Sequence, residues 1–299
     1  MRRKKVLIIC GGGIFGAIPA HFLSMVPYED MNRLDLISGC SIGGILASAY
    51  CVGRSFKEID KVFQERADEC FDKRWQAYLN PLASPKYKNE SLDKVIFSMI
   101  GSAKVKDIRG YFPNLDYVVP SLDFTNDNYK VWDNITGKDD EMSLTSIAGF
   151  TSAAPSYYSG RDWNGKCMID GGLIEVAPLL TATTALKGKR KVPFIDMDVL
   201  MIGTGVEIKD DYKKVTTKQY NDLSLLGIAT DVLVPYATLS NEMATRYWGA
   251  NIGYHSFNYF NPCTIKGDLD DTSQVSNLVA QCDVWDEDFI YAWKKFMED

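Results

Sequence analysis

The sequence predicts an α/β fold with a mainly parallel central sheet flanked by helices. Two wholly apolar, β-rich runs, Val6-Leu7-Ile8-Ile9 and Val199-Leu200-Met201-Ile202, are each followed closely by glycines, as suits strands buried on both faces of a parallel sheet. Apolar residues at helical spacing (Ile18, Phe22, Met25) follow the first run. The order strand, sharp turn, helix then recurs at once, and strands that alternate with helices imply parallel pairing. Length and composition agree: 299 residues, 46% hydrophobic and 24% charged, describe an ordinary globular chain. No Ser/Pro/Gly-rich linker divides it, so one domain is expected over residues 1–299, with its core motifs in about 5–205 and a cover of helix and strand in 206–299.

The remaining elements are read in order. Leu34-Asp35-Leu36-Ile37 is a second strand that stops at Ser38-Gly39, and Ile42, Ile45, Leu46, Ala49 and Tyr50 mark a helix beyond Ser41. Phe56, Ile59, Val62, Phe63 and Cys70 mark an amphipathic helix; residues 75–87, with Pro81, Pro85 and several aromatics, read as irregular. Val118-Val119 and Tyr129-Lys130-Val131-Trp132 are strands around a polar turn. Residues 144–154 form a short helix stopped by Pro155, Cys167-Met168-Ile169 a strand, and 178–186 a helix opening on proline. In such a sheet functional groups are expected at the carboxyl ends of the strands.

Thirty-three basic residues against thirty-nine acidic ones, scattered apart from Arg2-Arg3-Lys4-Lys5, argue against a nucleic-acid partner. Seven cysteines, without a CxxC pair or a histidine at ligand spacing, favour reduced thiols in the cytoplasm and no zinc or other metal site. The basic start and apolar stretch up to Ala20 also fit a signal peptide, but three consecutive glycines interrupt it, and a strand followed by a glycine loop explains the same residues. No apolar run reaches the roughly 18 residues of a membrane span.

Gly39-Cys40-Ser41-Ile42-Gly43 fits G-x-S-x-G between a predicted strand and a predicted helix. A nucleophile on a sharp strand-to-helix turn needs side-chain-free residues two before and two after it, because neighbouring backbone passes there. Ser41 would then project its hydroxyl over the sheet edge, with the dipole and amides of the next helix aimed at it. The same letters also describe a serine N-cap with incidental glycines.

Gly11-Gly12-Gly13-Ile14-Phe15-Gly16 follows the first strand. Successive glycines can turn their amides to one side and cradle a negative charge. One such charge is a dinucleotide pyrophosphate, since the six residues fit G-x-G-x-x-G. That reading needs an acid at the tip of the second strand, where Ser38-Gly39-Cys40-Ser41 stand instead and Asp35 comes too early. The other is the oxyanion formed when a serine attacks an ester, which accounts for both turns.

A serine hydroxyl needs a base. Of the two histidines, His21 falls on the helix after the glycine loop, where packing or a surface role is expected. His255 lies in a strand-like stretch, and Ser41, Asp198 and His255 follow the Ser…Asp…His order of α/β-hydrolases, so that triad stays open. The other candidate is Asp170 in Ile169-Asp170-Gly171-Gly172, 129 residues after Ser41 and at the end of a predicted buried strand. Burial would raise its carboxylate toward a useful base, and Gly172 would let an acyl group approach. Asp-Gly is equally a common turn dipeptide whose aspartate caps backbone amides.

With these three sites the sequence resembles the patatin-like phospholipases, serine acyl hydrolases that use a Ser–Asp dyad. The glycine run matches their oxyanion loop, Gly39 to Gly43 their nucleophile elbow, and Asp170-Gly171-Gly172 their aspartate motif. Thr151-Ser152-Ala153-Ala154-Pro155 matches a block preceding that aspartate and Ile202-Gly203-Thr204-Gly205 a glycine turn after it. The resemblance implies hydrolysis of fatty-acyl esters in phospholipids or lysophospholipids. Ser41 attacks while Asp170 takes its proton, Gly11, Gly12, Gly13 and Ile14 form the oxyanion loop, and no metal or organic cofactor is required. It also implies adsorption to a bilayer or extraction of a lipid from it. Trp75, Tyr78, Leu79, Leu82 and Tyr87 would then serve as an interfacial lid, or else as buried packing. Two positions depart from the family: Phe15 stands where Arg or Lys is usual, and Val176-Ala177 where two asparagines commonly precede the proline matching Pro178. Phe15 motivates an alternative, a catalytically silent lipid-binding protein.

Overall fold

The computed structural model describes residues 2–74, 84–207 and 257–298. Ten strands are present among them: β1 Lys4–Ile9, β2 Leu36–Gly39, β3 Asp116–Asp123, β4 Asn128–Asp133, β5 Arg161–Trp163, β6 Lys166–Asp170, β7 Met197–Ile202, β8 Val206–Glu207, β9 Phe257–Phe260 and β10 Thr264–Ile265. The main sheet runs β5-β6-β3-β2-β1-β7-β9, with β4 also on β3, while β8 and β10 form a separate parallel pair. Strands β3, β2, β1, β7 and β9 are mutually parallel.

Burial on both faces explains why β1 is wholly apolar after its lysines. Leu7 and Ile9 pack with Ile37, Val119, Leu200 and Ile202 under the helices Ala17–Ser24, Ile42–Tyr50 and Leu144–Thr151. Val6 and Ile8 face the other way, with Leu36, Val118, Val199 and Met201, onto Leu179, Ala182 and Ala185 of the helix Leu179–Ala185. Each such buried aliphatic side chain contributes about 1.5–3 kcal/mol relative to exposure, so a polar residue on either face of β1 would be costly. The stretch that also fits a signal peptide is thus a central strand and its following helix.

Three features differ from expectation. The helix Asn89–Ile100, buried through Leu92, Val95, Ile96, Met99 and Ile100, was not read from the sequence. Its apolar spacing was visible there. The strand β9 completes the sheet beside β7 rather than covering it, and Phe260 meets Phe22 at 5.1 Å between ring centroids. Most consequential, β6 runs antiparallel to β3, as do β4 and, to β6, β5. Asp170 therefore does not sit on a parallel carboxyl edge.

The register explains what β6 does instead. Strand β4 occupies one edge of β3 from Val118 to Asp123. On the other edge β2 pairs with Asp116, Tyr117 and Val118, then stops, and β6 pairs with Ser121, Leu122 and Asp123. The two strands thus share one edge and run toward each other. The turn after β2 and the last residue of β6 meet in the gap between them.

Candidate active site

Ser41 is the residue between β2 and the helix Ile42–Tyr50, with φ 53° and ψ −125°. Positive φ at a residue with a side chain costs on the order of 1–3 kcal/mol and persists only where the surroundings enforce it. They do so through close backbone approach. A Cβ on Gly39 would strike the carbonyl of Gly43, and one on Gly43 would strike the carbonyl of Ile9. The Ser41 amide donates to Thr151 Oγ1 at 3.1 Å. The Ser41 side chain caps no helix amide, so the N-cap reading of this serine does not describe it.

Asp170 ends β6 and is only 5% exposed. Its Oδ1 accepts the Gly172 amide at 2.7 Å and the Cys40 thiol at 3.6 Å, and the Ser41 side chain lies near enough to act on the same carboxyl. Burial pushes this carboxyl up from 3.8 to about 6, against the opposing pull of the Gly172 amide and of the Ser41 and Cys40 side chains. The turn role that Asp-Gly suggests and the proximity to Ser41 are therefore both present. The neighbouring Cys40 thiol is pushed well up, first by burial and then by the Asp170 charge, which leaves it a neutral S–H donor.

The glycine loop lies directly against the elbow: a Cβ on Gly11 would come within 3.2 Å of Ser41 Cβ. The four amides expected to face a developing oxyanion divide into two kinds. That of Gly11 donates to the Val176 carbonyl at 2.9 Å and that of Ile14 to the Leu269 carbonyl at 2.8 Å. Those two are already committed, a correction to the four-residue cradle. The amides of Gly12 and Gly13 pair with no acceptor among the described residues. Gly13 has φ 55°, a conformation that glycine adopts without strain. The Thr204 hydroxyl fixes the loop from outside by donating to the Gly11 carbonyl at 2.8 Å.

Other candidates fall elsewhere. Asp198 opposes Lys5 on β1 and binds Arg3 at 3.1 Å and the fully buried Lys5 at 3.0 Å. That places it about 16 Å of strand from the elbow, at roughly 3.3 Å per residue, so the triad through Asp198 is excluded. His255 lies outside the described residues, as do Trp75, Tyr78, Leu79 and Leu82. Tyr87 is 2% exposed and donates to Asp270, so it is packing and not lid surface. Asp35 accepts from Arg2 and Lys4, far from the glycine loop. Phe15 is a core side chain.

Among the described residues, His21, Asp283 and Asp286 are the only trio with metal-ligand geometry, and His21 is hydrogen-bonded to Asp286 at 3.0 Å. It lies apart from the residues around Ser41 named above. The residues that sequence reasoning missed at the elbow are Thr151, for its hydroxyl, and Val176 and Leu269, for carbonyls that any residue supplies. Among the described residues no helix is long and apolar enough to cross a membrane, and all seven cysteines are free thiols.

Residues 7–183 match the model of the family described as Patatin-like phospholipase. The chain is 29% identical over 235 residues to a cGAMP-activated phospholipase of Escherichia coli, covering 70% of this chain and 64% of that one. It is 28% identical over 201 residues to a cGAMP-activated phospholipase of Vibrio cholerae, covering 58% and 55%. Patatin-17 of Solanum cardiophyllum is 26% identical over 255 residues, covering 72% and 63%. The matches thus span less than two thirds of each of these relatives.

Proposed function

Because the chain belongs to the patatin-like phospholipase family, we propose that it hydrolyses fatty-acyl esters of phospholipids or lysophospholipids through a Ser41–Asp170 dyad. One observation carries this reading: a buried carboxyl, raised to about 6, lies against the elbow that holds a serine on a strained turn, accepting from Cys40 next to it and feeling the Ser41 side chain. At neutral pH such a group is ionised yet basic enough to draw a proton from a hydroxyl in the transition state.

The steps follow from the residues. The Ser41 oxygen attacks the ester carbonyl as its proton passes to Asp170, and the amides of Gly12 and Gly13 receive the developing oxyanion, helped by the amino end of the helix Ile42–Tyr50. Asp170 then protonates the departing alcohol, leaving an acyl-enzyme. Water attacks that ester with its proton going to Asp170, the fatty acid leaves, and Ser41 recovers the proton. Neither half-reaction changes an oxidation state, and no cofactor is assigned. The setting that goes with this reading is the cytoplasm, as an odd cysteine count without a CxxC pair suggests, with adsorption to a lipid surface during turnover.

The test is fatty-acid release from phospholipid and lysophospholipid vesicles, beside labelling with a fluorophosphonate probe. Since two relatives are named cGAMP-activated phospholipase, both are run with and without cGAMP. Wild type is expected to release fatty acid and to be labelled at Ser41, and Ser41→Ala to lose about 10³-fold or more. Hydrolysis that survives in Ser41→Ala overturns the reading, as does a wild type that neither turns over nor labels under either condition.

A further inference from the structure

The loop that follows Asp170 contains a second buried carboxylate, Glu175, 9% exposed and without an ion-pair partner among the described residues. Four neutral donors satisfy it. Its Oε1 accepts the amides of Leu180 at 2.7 Å and Thr181 at 3.3 Å. Its Oε2 accepts the Tyr129 hydroxyl at 2.9 Å and the Thr181 hydroxyl. Burying a charge is expensive unless donors surround it, so this arrangement is specific to a carboxylate-sized acceptor at this point of the loop. Val176 and Ala177, the next two residues, have no polar side-chain atoms, so of these three residues Glu175 is the one that anchors the loop through a polar side chain.

What Glu175 anchors leads toward Ser41 and Asp170 by two routes. Tyr129 lies on β4 opposite Leu122 of β3, and Leu122 in turn opposes Ile169 of β6, one residue before Asp170. On the other side of Glu175, the Val176 carbonyl accepts the Gly11 amide at 2.9 Å, and a Cβ on Gly11 would lie 3.5 Å from Val176 Cγ1. This hydrogen bond ties the Asp170 loop to the glycine loop. We infer that Glu175 is a positioning residue: by tying the loop to β4 and to the helix Leu179–Ala185, it holds the Val176 carbonyl on the Gly11 amide and so fixes the glycine loop in register with the Ser41–Asp170 pair. The inference rests on that dyad reading for its catalytic consequence, but the tie itself is a structural fact that can be measured without turnover.

Two measurements on the full chain separate the two ideas. Amide hydrogen exchange compares Gly11 with Leu7 and Ile8 of β1 in wild type, Glu175→Ala and Glu175→Gln. In Glu175→Ala the Gly11 amide is expected to exchange about tenfold faster or more, the scale of losing a helix-capping acceptor, while Leu7 and Ile8 change by less than about threefold, marking a local rather than global opening. Glu175→Gln, which keeps the acceptor oxygen, is expected to restore Gly11 to within about threefold of wild type. On a soluble short-chain ester, Glu175→Ala is expected to lower kcat about 10–100-fold with KM within about twofold, again largely restored in Glu175→Gln. Unchanged Gly11 exchange in Glu175→Ala overturns the inference whatever the enzyme does. So do exchange rates that rise equally at Gly11, Leu7 and Ile8. If Ser41→Ala keeps its activity while Gly11 responds as stated, the dyad reading has failed and the tie stands.

Discussion

Replacing Asp170 by asparagine separates catalysis from stability in opposite directions. Burial raises this carboxyl from 3.8 to about 6, so in the folded protein its ionised form is disfavoured relative to the unfolded chain. A group shifted this way contributes stability that is fully present below the unfolded value and is lost as pH rises through the folded one. At pH 7 the gap between 3.8 and about 6 costs the native state about 3 kcal/mol. At pH 4, where the native carboxyl is protonated and the unfolded one about half so, the cost falls to roughly 0.5 kcal/mol. Asparagine does not titrate. Whatever constant penalty the amide brings to the Gly172 and Cys40 hydrogen bonds, the stability of Asp170→Asn relative to wild type is expected to be about 2–3 kcal/mol more favourable at pH 7 than at pH 4. Urea unfolding at pH 4, 5.5 and 7 measures this directly. Hydrolysis by the variant is expected to be lost at every pH. In wild type, kcat/KM is expected to be half-maximal near pH 6 and to fall about tenfold per pH unit below it. A stability difference that does not vary with pH, or a kcat/KM midpoint near 4, refutes the argument that a buried, raised carboxyl is the base.

Two further substitutions test the neighbourhood. Thr151→Val removes the acceptor of the Ser41 amide and leaves that amide unpaired beside the strained turn; a loss of about 1–3 kcal/mol in urea unfolding is expected, with kcat lowered about tenfold because the elbow is no longer held. Asp198→Ala leaves the buried Lys5 ammonium without its carboxylate and is expected to cost about 3–5 kcal/mol of stability, while kcat per folded molecule stays as in wild type. Abolished turnover in a fully folded Asp198→Ala protein would return Asp198 to the catalytic machinery.

The parts of this protein readable in its residues are those where a local backbone requirement selects the residue type. The runs of β1 and β7 had to be apolar because both faces are covered. Gly39 and Gly43 had to lack side chains because carbonyl groups pass them. Asp170 was legible as a candidate, but the direction of its strand was not. Whether β6 lies parallel or antiparallel depends on which edge of β3 is free beyond Val118, and no pattern within Lys166–Asp170 encodes that. The three residues of β5, Arg161–Trp163, are polar at two positions and lack the alternation that marks a strand. The donors withdrawn from the glycine loop were hidden for another reason. Val176 and Leu269 act through backbone carbonyls, which every residue possesses, so only the fold reveals that they take the amides of Gly11 and Ile14.

In the proposed dyad, the split edge of β3 is what would let a carboxylate take the place usually given to an imidazole. An aspartate in water is too weak a base at 3.8, and one buried without donors would stay protonated at neutral pH and accept nothing. Between these limits the gap between β2 and β6, along the shared edge of β3, provides a buried site in which Asp170 is only 5% exposed. Into it come two donors, the Gly172 amide and the Cys40 thiol, with the Ser41 side chain acting on the same carboxyl. Burial lifts the carboxyl and the donors pull it partly back, leaving it near 6. At pH 7 about nine in ten such groups are ionised, and each is some hundredfold more basic than a free aspartate. A parallel β6 would run the same way as β2 and carry its last residue beyond the turn. Antiparallel pairing on the shared edge is what brings that last residue back to meet the serine.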